Sequence, residues 1–185
     1  MKVLGISGSL RRDSHNTALL RAAAELLPDG VELELWDGLK AVPPYDEDDD
    51  VEPAPEAVAE LRDAIAGADA VLFATPEYNH SIPGQLKNAL DWASRPLATN
   101  PLRNKPVAVV GASTGAFGAV WSQAELRKVL AAAGARVVEG DAAVGHAQTK
   151  FDEGGRLADE DLREQLAEVV DALLTVARAR ELLAA

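Results

Sequence analysis

The stretch TPEYNHSIPG, residues 75–84, sets an acid, a phenol, an amide and an imidazole in a row and closes them with Pro-Gly. It follows the apolar run DAVLFA and precedes GQLKNALDWA, whose apolar residues recur at three and four, so it reads as a polar loop between a strand and a helix. These side chains suit a flat heteroaromatic ligand. Tyr78 offers a face, Asn79 a donor and an acceptor for ring nitrogens and carbonyls, and Pro76 and Pro83 stiffen the backbone. Glu77 is expected to hold the loop, to its own backbone or to a neighbouring chain, rather than to touch a ligand. The plainer alternative is punctuation, with Pro83 starting the helix and Asn79 shaping a turn.

A second group of chemical interest is GSLRRDSHNT, residues 8–17, which runs into the helical pattern TALLRAAAELL. A helix N-terminus presents unpaired N–H groups and partial positive charge, so Ser9, Ser14, Asn16 and Thr17 with the Arg11 guanidinium would make an anion cradle. The competing reading is that Ser14 or Asn16 only caps the helix and the arginines are solvated. There is no GxGxxG after the first strand and no Gly-Lys pair, which removes the dinucleotide fingerprint and the P-loop. A third loop, GASTGAFGAV at 111–120, carries Gly111, Gly115 and Gly118. Its glycines permit close backbone approach to a ring that gains negative charge on reduction; packing of a helix start against a strand is the alternative. GASTG also matches the GxSxG nucleophile elbow, with Ser113 followed in order by Asp141 and His146. That reading leaves the other two loops unexplained. The run DEDDD at 46–50 lacks the Gly and distal Glu of a calcium loop, and His15, His80 and His146 share no ligand spacing, so no metal site is expected.

The elements that must position these loops are legible as five apolar or alternating runs, at 2–7, 31–36, 69–74, 106–111 and 135–140. Helical spacing fills the gaps, as in Leu86, Ala89, Leu90 and Ala93, in Leu126, Val129, Leu130 and Ala133, and in the last amphipathic stretch Leu162, Leu166, Val169, Val170 and Leu173. Alternation of strand and helix implies a parallel sheet with right-handed crossovers and helices on both faces. VELELW, with Glu32 and Glu34 on one side, suits an edge strand, which agrees with strand order 2-1-3-4-5 and a switch point between strands one and three. All three loops then gather at the carboxyl ends of the strands.

The expected architecture is therefore one α/β domain over residues 1–185, a three-layer sandwich. Trp92 and Trp121 fall off the apolar stripes of their helices and are expected at a contact with another subunit. A net charge of −12 without a Lys/Arg stripe argues against nucleic acid. There is no 18-residue apolar run for a membrane and no signal-peptide core in MKVLGISGSLRR, so a cytoplasmic protein is expected. With no cysteine, thiolate chemistry is excluded and any redox role needs a bound cofactor.

GISGSLRRDSHNT, TPEYNHSIPGQLKNALDW and VVGASTGAFGAVWSQAELRKVL together resemble the NAD(P)H-dependent FMN reductase family, which includes chromate and quinone reductases on a flavodoxin-like fold. The resemblance spans residues 1 to about 140 and implies FMN as cofactor with NADPH or NADH as co-substrate. It assigns phosphate contacts to Ser9, Arg11, Ser14, Asn16 and Thr17, and ring contacts to Pro76, Glu77, Tyr78, Asn79, Ser113 and Gly115, with Thr114 and Gly118 in the same glycine loop. It also implies a homodimer or homotetramer. The mechanism expected on this basis is a ping-pong transfer of hydride from the nicotinamide to FMN and on to a quinone, azo, metal-oxyanion or flavin acceptor, with no side-chain acid or base required by the sequence. Thr114 stands where the family often has proline, and Trp121 where it often has arginine. The other redox reading is a flavodoxin-type electron carrier, which would enclose its ring between aromatic side chains; here one loop offers Tyr78 and the other only Ser, Thr, Ala and Gly, then Phe117, so one ring face is expected to stay open.

Overall fold

A computed structural model describes residues 1–184 of the chain. The strands are β1 (Lys2–Ser7), β2 (Glu32–Trp36), β3 (Ala70–Thr75), β4 (Pro106–Ala112), β5 (Arg136–Val137) and β6 (Ala143–Val144). The helices are α1 (His15–Ala24), α2 (Glu56–Gly67), α3 (Gly84–Ala93), α4 (Val120–Ala132) and α5 (Glu160–Ala184). The sheet is parallel in the order β2-β1-β3-β4-β5, and β6 also pairs with β4. This is the flavodoxin-like order, and its switch point lies between β1 and β3.

Period-two alternation along the central strands builds the layers. Leu72, Ala74, Ala108 and Val110 face the α1/α5 side with Leu19, Leu20, Leu166 and Leu173, whereas Val71, Phe73, Val107 and Val109 face the α2–α4 side with Ile65, Leu86, Leu126 and Leu130. Both faces are covered, so β3 and β4 are buried along their whole length. The edge strand β2 keeps Glu32 and Glu34 in solvent, as its alternation required.

Two sequence expectations are corrected. The run at 135–140 does not form one strand: it leaves the sheet after Val137, and pairing resumes only at Ala143. The excursion is held by the Arg127 guanidinium, which donates to the Gly140 carbonyl at 2.5 Å, and by packing of Gly140 on Val169, where a Cβ would meet Val169 at 2.8 Å. Trp92 is not at a surface contact but fully buried. Segment 37–45 wraps over α3 and covers it: Nε1 of Trp92 donates to the Pro43 carbonyl at 2.9 Å, and Tyr45 meets the indole edge-on at 4.9 Å. Trp121, by contrast, is exposed.

Candidate functional site

Three loops meet at the carboxyl end of the sheet. The first, after β1, enters α1 through Ser14, a buried N-cap whose hydroxyl accepts from the N–H groups of Asn16 and Thr17 at 3.2 Å each. Ser9 Oγ accepts from Arg11 N at 3.4 Å, and the Arg11 guanidinium donates back to the Asp13 carbonyl at 2.9 Å. The N–H groups of Arg12, Asp13, Ser14 and His15 make no bond within the described chain. Those of Ser14 and His15 stand at the positive end of α1 and line the cleft between the three loops, where an anion would be favoured; Arg12 and Asp13 precede the cap. Burial, and then the Arg11 charge, hold the His15 imidazole below its usual pKa, so the ring beside this cradle tends to neutrality.

Asn16 does something the sequence did not suggest. Its side chain is buried and reaches across the sheet, donating to the Ala112 carbonyl and accepting from the Ala112 N–H, both at 2.9 Å. Its amide is thereby committed to fastening the first loop to the end of β4. Gly8 completes the seam with the second loop, since a Cβ there would stand 2.9 Å from Leu86 and 3.3 Å from Pro76.

The second loop is a tight hairpin. Tyr78 and Ser81 exchange N–H···O bonds at 3.1 Å, and the two residues between them, Asn79 and His80, have φ of 53° and 62°. Positive φ at both central positions defines the mirror-image turn that Asn tolerates better than most residues. Glu77 anchors this hairpin to α4: its Oε2 accepts from the N–H groups of Trp121 at 3.1 Å and Ser122 at 3.2 Å. The residue preceding that helix, Ala119, sits at φ 63° and has no side chain able to cap it, so the cap comes from 42 positions upstream. Below, the Thr75 and Ser122 hydroxyls lie 2.9 Å apart, and Ser122 donates to the Pro76 carbonyl at 2.8 Å.

The third loop, after β4, is fixed by the chain that follows β6. Ser113 N donates to the Val144 carbonyl, Ala147 N to the Ser113 carbonyl and His146 N to the Gly115 carbonyl. The reason for Gly118 is packing, because a Cβ there would come within 2.4 Å of the Ala143 backbone. Gly115 is exposed, a Cβ there would meet only Ser113 Oγ, at 3.5 Å, and the N–H groups of Thr114 and Ala116 make no bond within the described chain.

Between the loops lies a cleft of about 110 Å³. The first loop contributes Ser9, Arg11, Ser14 and Asn16; the second Pro76, Glu77 and Tyr78; the third Ser113 and Thr114. His15 and Ala112 also line it, and composition alone had singled out neither. Asn79, Gly115 and Gly118 lie outside this cleft, and Thr17 lines the neighbouring cavity instead. Ser113 Oγ accepts from Gly115 N at 3.1 Å, while Asp141 pairs with Arg127 at 3.4 Å. No imidazole bonds to Ser113 among the described residues, so the elbow sequence has no assembled triad.

Residues 1–149 match the family model described as NADPH-dependent FMN reductase. The chain belongs to that family. It is therefore an oxidoreductase, with FMN as cofactor and NAD(P)H as co-substrate. It is 46% identical over 174 residues to an NAD(P)H-dependent FMN reductase of Pseudomonas aeruginosa, covering 94% of this chain and 93% of the relative. It is 38% identical to a 2-hydroxy-1,4-benzoquinone reductase of a Burkholderia species, over 92% and 93% of the two chains. Among solved structures, the flavoenzyme FerB, an NAD(P)H:acceptor oxidoreductase of Paracoccus denitrificans, superposes with a TM-score of 0.84 at 35% identity, covering 96% and 97% of the two chains.

The donor set fits FMN. Unpaired backbone N–H groups and Arg11 at a helix N-terminus have the chemistry a phosphate requires, and the exposed Tyr78 together with the free N–H groups of Thr114 and Ala116 offers a face and donors suited to a ring. The cleft is small against a mononucleotide, so only part of the cofactor would be enclosed.

Proposed function

We propose that this single-domain protein is an NAD(P)H-dependent quinone reductase acting by a ping-pong cycle. When bound, FMN supplies the hydride-accepting and hydride-donating ring; the polypeptide binds and orients. In this reading the N–H groups of Ser14 and His15, with Ser9 and Arg11, hold the phosphate. Pro76, Tyr78 and Asn79 support the ring. The N–H groups of Thr114 and Ala116 stabilise the negative charge that reduction places on it. Ser14 and Asn16 act one step back, shaping the cradle rather than gripping the phosphate. Glu77 holds the hairpin in register with α4. No side-chain acid or base is needed, because hydride transfer asks only for alignment at about 3–3.5 Å. Quinones are favoured as acceptor by the relatives that bear that name, at 38–40% identity. Homo-oligomer formation is proposed through the exposed face of Val120 and Trp121 beside the site.

The observation that carries the reading is the convergence of the unpaired N–H cradle, the Tyr78 hairpin and the glycine loop at the sheet's switch point. The test is to load purified protein with FMN and add NADPH without oxygen. The yellow colour is expected to bleach, and 1,4-benzoquinone to restore it stoichiometrically. Protein that takes up no FMN overturns the site, and protein that binds FMN without bleaching is a passive carrier.

A further inference from the structure

Behind the first loop lies a second cavity, of about 380 Å³, bounded by α1 and by the segment that leaves β2. It shares Ser9 and Arg11 with the cleft, so the two spaces adjoin. Three cations from three separate segments line it: Arg11, Arg21 and Lys40. None of them is in an ion pair among the described residues, and only one acid, Asp37, is in the lining. In a chain of net charge −12 this is a local reversal of field. The remaining wall includes Trp36, half-buried at the carboxyl end of β2. Its indole lies against Gly38, where a Cβ would come within 2.6 Å of the ring.

The cavity thus combines an aromatic side chain, a carboxylate and three unpaired cations. An aromatic surface suits a purine, a carboxylate accepts a ribose hydroxyl, and clustered Arg and Lys suit a phosphate dianion. We propose that this cavity binds the adenosine end of NADPH, with Arg21 and Lys40 recognising the 2′-phosphate that NADH lacks. The proposal rests on the reductase reading and adds to it a residue-level basis for choosing between the two dinucleotides. Arg11, shared between the spaces, would lie between the flavin phosphate and the dinucleotide.

The experiment uses FMN-saturated protein, so that the flavin cradle is filled, and titrates it calorimetrically with adenosine 2′,5′-bisphosphate and with 5′-AMP. The bisphosphate is expected to bind at least tenfold tighter. Arg21→Glu and Lys40→Glu, both at exposed positions, are expected to bring that ratio close to one and to raise KM for NADPH about tenfold or more relative to KM for NADH. Equal binding of the two nucleotides by wild type overturns the proposal, as does a ratio the variants leave intact. A loss shared equally by NADPH and NADH also overturns it, and so does release of FMN by the bisphosphate, which would assign the cavity to the flavin. Failure of the reductase reading looks different: neither dinucleotide bleaches the flavin, while the calorimetric ratio still reports on the cavity.

Discussion

Replacing Glu77 should separate the stability of the site from its chemistry. The carboxylate does for α4 what a cap residue does elsewhere, and it does so across 44 and 45 positions of sequence. Of the first four N–H groups of that helix, Val120 bonds the Phe117 carbonyl and Gln123 the Ala119 carbonyl. Trp121 and Ser122 depend on Glu77 alone. Glu77→Ala orphans both, and Ser122 is buried. An unpaired buried donor costs about 1–3 kcal/mol and a lost helix cap about 1 kcal/mol, so the variant should lose roughly 2–4 kcal/mol. For a chain of this length that lowers Tm by about 5–15 °C. Glu77→Gln keeps an acceptor oxygen and gives up only the charge at the helix end, worth about 0.3–1 kcal/mol. The 3.5 Å approach of His80 to Oε1 adds little, because the imidazole is exposed. Urea titration of the apoprotein, followed by circular dichroism, measures the first effect. Quenching of FMN fluorescence measures the second, where the alanine variant should bind at least tenfold more weakly as the hairpin loses its anchor. An alanine variant within about 0.5 kcal/mol of wild type, or one no worse than the glutamine variant, would refute the reasoning.

Two further perturbations read other parts of the frame. Asn16→Leu strands both polar groups of Ala112 and should cost roughly 2–4 kcal/mol, measured by urea midpoint, with weaker FMN retention in the same preparation; unchanged stability would mean that the bridge to β4 is dispensable. Lys105 is buried and donates to the carbonyls of Ala66 and Ala68. Its pKa is lowered from 10.5 to about 8, by burial first and by Arg180 second, partly offset by Asp69. Because the folded state releases this proton first, the unfolded chain binds more protons between about pH 8 and 10.5. Stability relative to Lys105→Met should therefore rise across that window, by at most roughly 3 kcal/mol; a flat or falling difference would refute the assignment.

The sheet was legible because burial on both faces leaves a direct record in composition. VLFA in β3 and VAVV in β4 admit no polar side chain, and the acids of β2 mark an edge. Topology then followed from handedness and fixed which loops must converge. What periodicity cannot report is where a remote polar side chain finds its partner. Asn16 looked like a phosphate ligand or a cap, yet its amide is spent on Ala112, 96 positions away. Trp92 sits off the apolar stripe of α3, yet segment 37–45 covers it, through carbonyls that no hydrophobic pattern records. The break at Gly140 depends on Arg127 and Val169, contacts made only after the fold has formed.

These illegible contacts share a purpose. The three loops are not merely adjacent, since each is fastened to another by a side chain or a close backbone approach. Asn16 ties the first to the third, Glu77 and Ser122 tie the second to α4 where the third loop ends, and Gly8 seats the first against Pro76 of the second. A cradle of free N–H groups holds an anion well only if those groups cannot turn to find partners of their own, and cross-linking the loops prevents that relaxation. The polar residues most committed to the frame are thus the ones a sequence reading assigns to the ligand, because both tasks select hydrogen-bonding side chains at the same strand ends. In the proposed reading, ligand contact falls more heavily on backbone N–H groups, which every residue but proline has and no motif displays. Side-chain substitutions at Ser14 or Asn16 should accordingly weaken FMN binding through lost stability, whereas Arg11→Glu should weaken it with the urea midpoint unchanged.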